Sequence, residues 1–306
     1  MAYVLGLLAG LILPLQTGVN ARLQRRVGNS LNAALVSSMI GLVFLYLICL
    51  ISGQSVALPL GTIAQEPWWI WFGGACGMFF LVGNIILMPK IGATQTVVFT
   101  VTGQILMGLL VDSCGLFRAK VIPMTWLRGL GAILVLGGMI LSTVSKGDAA
   151  SEQVSNRSWK TWAWRLFGIV IGMLSATQTS INGYLGTVID SSIQSTIVSF
   201  WVCAILNAVF CIIVRAKEGR PEVEKKGPWW MWTGGVFGGL YVMISLYLAS
   251  RLGTGLTVII ALIGSTLGGL IIDQFGLLNS EKHPIKWQEV LGIVIMIGGT
   301  AMIRLL

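Results

Sequence analysis

The chain has 306 residues, of which 55% are hydrophobic and only 10% charged, and its mean hydropathy is +0.85. A soluble domain carries about 25% charged residues, so this composition excludes a soluble globular fold, and membrane spans rather than domains have to be counted. The net charge of +9 does not point to nucleic acid, because the Lys and Arg residues sit in short links between apolar runs, where orientation signals and lipid-headgroup contacts lie.

Residues 1–13 have no basic leader and no small-residue cleavage site, and Arg22, Arg25 and Arg26 follow the apolar run, so the first run reads as a retained span rather than a signal peptide. Ten apolar runs, each about 20 residues long, then recur at 4–25, 30–52, 68–89, 93–115, 126–145, 165–187, 191–214, 229–250, 254–275 and 287–305. Backbone polar groups in hydrocarbon must be paired within their own segment, so each run is expected to be a helix. The polar stretch 146–164 divides five helices from five. The predicted architecture is an all-α integral membrane protein of ten transmembrane helices: a first repeat over 1–146, a linker over 147–164 and a second repeat over 165–306.

The halves match each other at a nearly constant offset. Gly6, Gly10, Gln16 and Asn20 correspond to Gly168, Gly172, Gln178 and Asn182; Trp68-Trp69-Ile70-Trp71 corresponds to Trp229-Trp230-Met231-Trp232. Asp112 and Gly115 correspond to Asp273 and Gly276, and Gly137-Gly138 to Gly298-Gly299. Such coincidence indicates duplication. Five helices is an odd number, so the second copy is expected to enter the membrane from the opposite face, as an inverted repeat. Fifteen of the twenty Lys and Arg residues fall on the face of the odd-to-even links. The positive-inside rule makes that face cytoplasmic and both termini extracytoplasmic.

Gln16 and Asn20, and again Gln178 and Asn182, are spaced one helical turn apart, so each pair shares a helix face. Amides in hydrocarbon are costly without partners. Two readings stay open for these four: substrate contacts in a central cavity, or glue between helices worth roughly 0.6–2 kcal/mol each. Asn84, Gln95 and Gln104 extend the candidate polar wall, and threonines Thr94, Thr96, Thr100 and Thr102 accompany them. Asp112 and Asp273 are the acidic residues clearly within apolar runs; they read either as interfacial carboxylates or as a pair of gating or coupling residues, with Arg22 on the face of Asp273. The tryptophans opening the third, fifth, eighth and tenth helices suit an interfacial belt. Five scattered cysteines and a single histidine give no metal site, and no catalytic set or phosphate-cradling loop is present, so neither an enzyme nor a cofactor is expected.

Three features carry a family resemblance: Gln16-x-x-x-Asn20 followed by Ala21-Arg22-Leu23, Gly103-Gln104 ahead of a run ending in Asp112-x-x-Gly115, and the twin-glycine fifth helix. They resemble the YdcZ-type branch of the drug/metabolite transporter (DMT) superfamily in a fused, two-unit form. The second half departs at Tyr184 and Ser265, which stand where the first half has Arg22 and Gln104. The resemblance implies a ten-helix transporter in which helices 1–4 and 6–9 line a central cavity while helices 5 and 10 lie outside it. In the small multidrug relatives a glutamate in helix 1 carries the coupling proton, and here neither helix 1 nor helix 6 contains an acid.

The resulting expectation is a multi-pass inner (plasma) membrane transporter, an exporter of a small organic solute by alternating access, as a monomer or homodimer. Its partners would be that solute, membrane lipid and a proton or other coupling ion. A weakly charged cavity favours neutral, zwitterionic or aromatic solutes. The alternative is a non-transporting membrane scaffold or accessory subunit.

Overall fold

Pro67 and Pro228 each stand before a tight turn of tryptophans, Trp68–Trp71 and Trp229–Thr233, and each turn feeds a glycine-rich helix. Proline fixes φ and lacks an N–H, which suits the first position of a helical turn. Trp68 and Trp229, 77% and 78% exposed, and Trp126 and Trp287, 74% and 71% exposed, point away from the protein, as an interfacial belt requires.

The computed structural model describes residues 2–144, 159–218, 227–277 and 285–304. Its helices are α1 (Ala2–Val27), α2 (Ser30–Ile51), the short α3 (Leu60–Ala64), α4 (Phe72–Cys114), α5 (Trp126–Val144), α6 (Trp159–Val188), α7 (Ser192–Glu218), α8 (Gly234–Leu252), α9 (Thr254–Phe275) and α10 (Trp287–Arg304). No strand occurs among the described residues. Five segments, Ala2–Val27, Ser30–Ile51, Ser192–Ile213, Trp229–Leu252 and Thr254–Ile272, are each long and apolar enough to cross a membrane, and Phe99–Cys114, Trp126–Leu141 and Trp287–Ile303 form shorter apolar helices. The proposed linker lies mostly outside the described residues, and α6 begins at Trp159, six residues before the expected start of the second repeat.

Where two spans were expected, α4 is a single hydrogen-bonded element of 43 residues. A straight helix of that length would reach about 64 Å. Yet Glu66 and Arg118, which flank its two ends, form a 3.0 Å ion pair. A Cβ built on Gly168 of α6 would also lie 3.0 Å from both Leu87 and Phe99. The chain therefore reverses between Leu87 and Phe99, and α4 is two antiparallel arms packed along α6. The sequence signal for this reversal is Pro89-Lys90-x-Gly92.

Helix α1 packs on α8 and α9, α6 on both arms of α4, α2 on α7 and α8, and α5 on α10. Several of the close contacts have a twin obtained by exchanging the halves. A Cβ at Gly10 would strike the Ala261 carbonyl, and one at Gly172 the Thr100 carbonyl. Gly131 meets the Gly299 carbonyl, and Gly138 that of Gly292. At these positions backbone lies on backbone, and only glycine leaves room. The central apolar cluster, with Ile105, Val135, Ile259 and Met296 fully buried, joins the second arm of α4 to α5, α9 and α10.

Candidate functional site

The four amides do not converge on one point; each pair is laid along a glycine face of the opposite half. Gln16 and Asn20 of α1 cover Gly238 and Gly234 of α8, while Gln178 and Asn182 of α6 cover Gly77 and Gly73 of the first arm of α4. The one-turn spacing of the amides matches the one-turn spacing of the glycines, which is how two helices keep the same contact over successive turns.

The two pairs differ in their surroundings. Asn182 is 1% exposed and donates to the Ser199 hydroxyl at 2.8 Å, and its backbone carbonyl accepts from Ser195 at 2.6 Å. Asn20 is only half-buried, and its Oδ1 is shut against Gly234 with no hydrogen-bond partner. Thr177, Thr179, Ser180 and Ile181 around Asn182 are all buried and Gln178 is half-buried, whereas around Asn20 Leu15, Gln16 and Gly18 are half-buried, Thr17 is exposed and Val19 is buried. Helix α9 repeats the pattern: residues 253–264 are buried without a break, and Ser265 and Thr266 then become partly accessible.

Of the other candidates, Gln104 reaches α6 and donates to Ser175 at 3.4 Å, one turn before Gln178. Asn84 bonds its own helix at the Phe80 carbonyl, 2.9 Å away. The side chains of Gln95 and Asp273 lie outside the described residues. Arg22 is half-buried near the end of α1.

Asp112 is fully buried and crosses between the halves. Its two oxygens accept the backbone N–H groups of Thr254 and Gly255, at 2.8 and 2.9 Å, which open α9. A carboxylate there satisfies orphan donors and meets the positive end of the helix dipole. Arg128 of α5, 2% exposed, lies 3.5 Å from the same carboxylate and donates to the Ile122 and Pro123 carbonyls. Arg128 was not among the candidates singled out from the sequence. Its position inside the fifth apolar run was the available signal, since a buried guanidinium needs an acid. Its repeat counterpart is Glu289, which is also buried and accepts the Lys286 N–H at 3.2 Å.

A second cross-half cluster caps the same end of the molecule. The Tyr184 hydroxyl donates to Glu66 at 2.8 Å, Arg118 bonds both Tyr184 and Glu66, and Trp69 packs on Tyr184 with ring centroids 5.5 Å apart. Beside it Ser191 donates to Gln54 at 2.6 Å, and Gln194 donates to the Ser55 carbonyl at 2.7 Å. The connections 53–67, 115–125 and 189–191 are thereby tied together on one face. Below Arg118 lies a cavity of about 260 Å³. An apolar groove of about 300 Å³ is lined by Leu106, Leu109, Leu110, Ser113 and Met124. Neither contains any of the four amides.

A family profile described as "Putative inner membrane exporter, YdcZ" matches residues 1–141 and again 163–302. The inner membrane protein YdcZ of Escherichia coli (strain K12) is 30% identical over 132 residues, covering 42% of this chain and 86% of that protein. One solved crystal structure superposes with a TM-score of 0.71 at 13% identity, over 99% of this chain and 95% of its own; at that identity the likeness concerns the fold alone. The duplicated match agrees with the offset at which the two halves pair their glycines and amides: the chain belongs to the YdcZ family of DMT-superfamily membrane transporters, carrying two copies of the family unit.

Proposed function

We propose that this inner-membrane protein is a secondary transporter that exports a small organic solute by alternating access, with ten spans arranged as two inverted five-helix repeats. The observation that carries this reading is the reciprocity of the contacts. Gly73–Asn182 is matched by Gly234–Asn20, and Gly172–Thr100 by Gly10–Ala261, as a two-fold exchange of halves requires. α6 runs antiparallel to the first arm of α4 and parallel to the second, which fits ten alternating spans with opposed halves. Inverted repeats that pack equivalently can exchange conformations, each taking the packing the other held.

On this reading Gln16, Asn20, Gln178 and Asn182, with Gln104, Asn84 and Gln95, form the two-sided wall of the solute path. The Asn182 end is sealed, and the Asn20 end is the more open. Asp112 and its counterpart Asp273 act as gates, one per face, with Arg22 on the face of Asp273. The sealed face carries both termini, and the charge bias makes it extracytoplasmic. Amides can recognise a neutral or zwitterionic solute through paired donors and acceptors, but they do not titrate, so α1 and α6 carry no coupling proton.

A thermal-shift screen of the purified protein against metabolites, followed by flux of each hit from proteoliposomes, tests the function. A ligand that binds only the folded state raises the melting temperature, by about 2.7 kcal/mol of stability at a hundredfold excess over Kd. A hit whose flux is abolished in Gln16→Ala supports the reading, whereas no hit and no flux favours the scaffold. Reporter fusions test the topology: residue 152 should lie on the opposite side of the membrane from both termini.

A further inference from the structure

An asparagine, a serine and two glycines form the same constellation in each half. On the first arm of α4, a Cβ at Gly73 would strike Oδ1 of Asn182, and one at Gly74 the Ser199 carbonyl. On α8, a Cβ at Gly234 would strike Oδ1 of Asn20, and one at Gly235 the Ser37 carbonyl. These are repeat counterparts, residue for residue. The starts of α2 and α7 keep the same register: Asn29 accepts the Asn32 N–H, and its counterpart Ser191 accepts the Gln194 N–H.

Only one of the two constellations is joined. Asn182 donates to the Ser199 hydroxyl at 2.8 Å, and the two residues are 1% and 2% exposed. In the other, Oδ1 of Asn20 has no partner, and among the described residues no hydrogen bond joins Asn20 to Ser37, which is itself buried. An amide and a hydroxyl held against neighbouring glycines in an apolar interior gain by bonding each other. The joined pair has a second tie, from the Ser195 hydroxyl to the Asn182 carbonyl at 2.6 Å. Its counterpart at that position, Ala33, has no hydroxyl, so the sealed end is the more strongly held.

We infer that Ser199 and Ser37 are positioning residues of a two-ended clamp: Asn182 is bonded to Ser199 while the sealed end is shut, and Asn20 bonds Ser37 when that end opens. The inference rests on the alternating-access reading above and adds to it the two hydroxyls that set the balance between its states. Exchange of conformation between the halves moves each constellation into the arrangement the other has left. One Asn–Ser bond is lost as the other is made, which keeps the two end states close in energy. A hydrogen bond present in only one of two states shifts their ratio about fivefold.

Modification of a reporter thiol tests the clamp. In the full chain in nanodiscs, with the native cysteines replaced, Ser180→Cys places a thiol at a buried position of the sealed end. Its rate of reaction with a water-soluble maleimide follows the population in which that end is open. Ser199→Ala should raise the rate about fivefold, and Ser37→Ala should lower it about fivefold. The double serine variant, which lacks both bonds, should return to the parent rate. Loosened packing only raises the rate, so the slowing and the restoration belong to the clamp. A rate that either serine variant leaves unchanged, that Ser37→Ala raises, or that the double variant raises above Ser199→Ala would overturn the clamp and leave alternating access standing. A reporter that reacts in none of the variants would remove alternating access and the clamp with it.

Discussion

Adding a methyl group at Gly73 and at its repeat counterpart Gly234 probes the difference between the two ends of the protein. At Gly73 the new Cβ collides with Oδ1 of Asn182, which is 1% exposed and held by Ser199 at 2.8 Å. Overpacking a tight interior costs about 1–3 kcal/mol, and displacing the amide also breaks a hydrogen bond worth about 1 kcal/mol. Gly73→Ala should therefore lose about 2–4 kcal/mol. At Gly234 the collision is with Oδ1 of Asn20, but that residue is half-buried and its oxygen has no partner to lose. Turning outward lets the oxygen hydrate, so Gly234→Ala should stay within about 1 kcal/mol of the parent. At roughly 2 °C per kcal/mol for a chain of this size, thermal unfolding in detergent should fall by about 4–8 °C for Gly73→Ala and by less than about 2 °C for Gly234→Ala. Equal losses, or a larger loss at Gly234, would refute the claim that one end is sealed and the other open.

Further outcomes are expected at four positions. Asp112→Ala strands Arg128 and the α9 N-terminus and should cost about 3–5 kcal/mol; the double variant with Arg128→Met should recover part of this, measured by denaturant unfolding in micelles. Tyr184→Phe removes the hydroxyl that joins Glu66 to Arg118 at a partly exposed site, so stability should change by less than about 1 kcal/mol, while thiol labelling of Ser180→Cys from that face should accelerate. Asn182→Ala should lower stability by about 1–2 kcal/mol through the bereft Ser199 and the emptied space. Gln16→Ala should leave unfolding unchanged and lower affinity for the transported solute, which separates glue from solute contact within the same motif.

The repeat was legible because tryptophan and glycine are scarce and positionally demanding. Among the residues that set the offset, Gly10 and its counterpart Gly172 are positions at which helices of opposite halves touch, and Gly73 and Gly234, a few residues after the tryptophan runs, are others. The reversal within α4 was legible from Pro89, Lys90 and Gly92, although the helical hydrogen bonding runs through it. The partners of the amides were not legible: spacing shows that Gln178 and Asn182 share a face but not that this face meets Gly77 and Gly73. Asp112 and Arg128 are close in sequence, yet the carboxylate's main ligands are the N–H groups of Thr254 and Gly255, more than 140 residues away. Backbone donors carry no side-chain signature, so only folding discloses them. Glu66 looked like an ordinary link residue until Tyr184 and Arg118 closed on it.

Spin-label distances measured in one series of samples test alternating access most directly. One label pair, on Gln65 and Thr187, spans the sealed face; a second pair, on Gly227 (one residue beyond the repeat counterpart of Gln65) and Arg25 (the counterpart of Thr187), spans the other, and all four positions are exposed. With transported solute in nanodiscs, the account predicts that the Gln65–Thr187 distance lengthens as the Gly227–Arg25 distance shortens. Two distances that stay fixed, or that lengthen together, would contradict it.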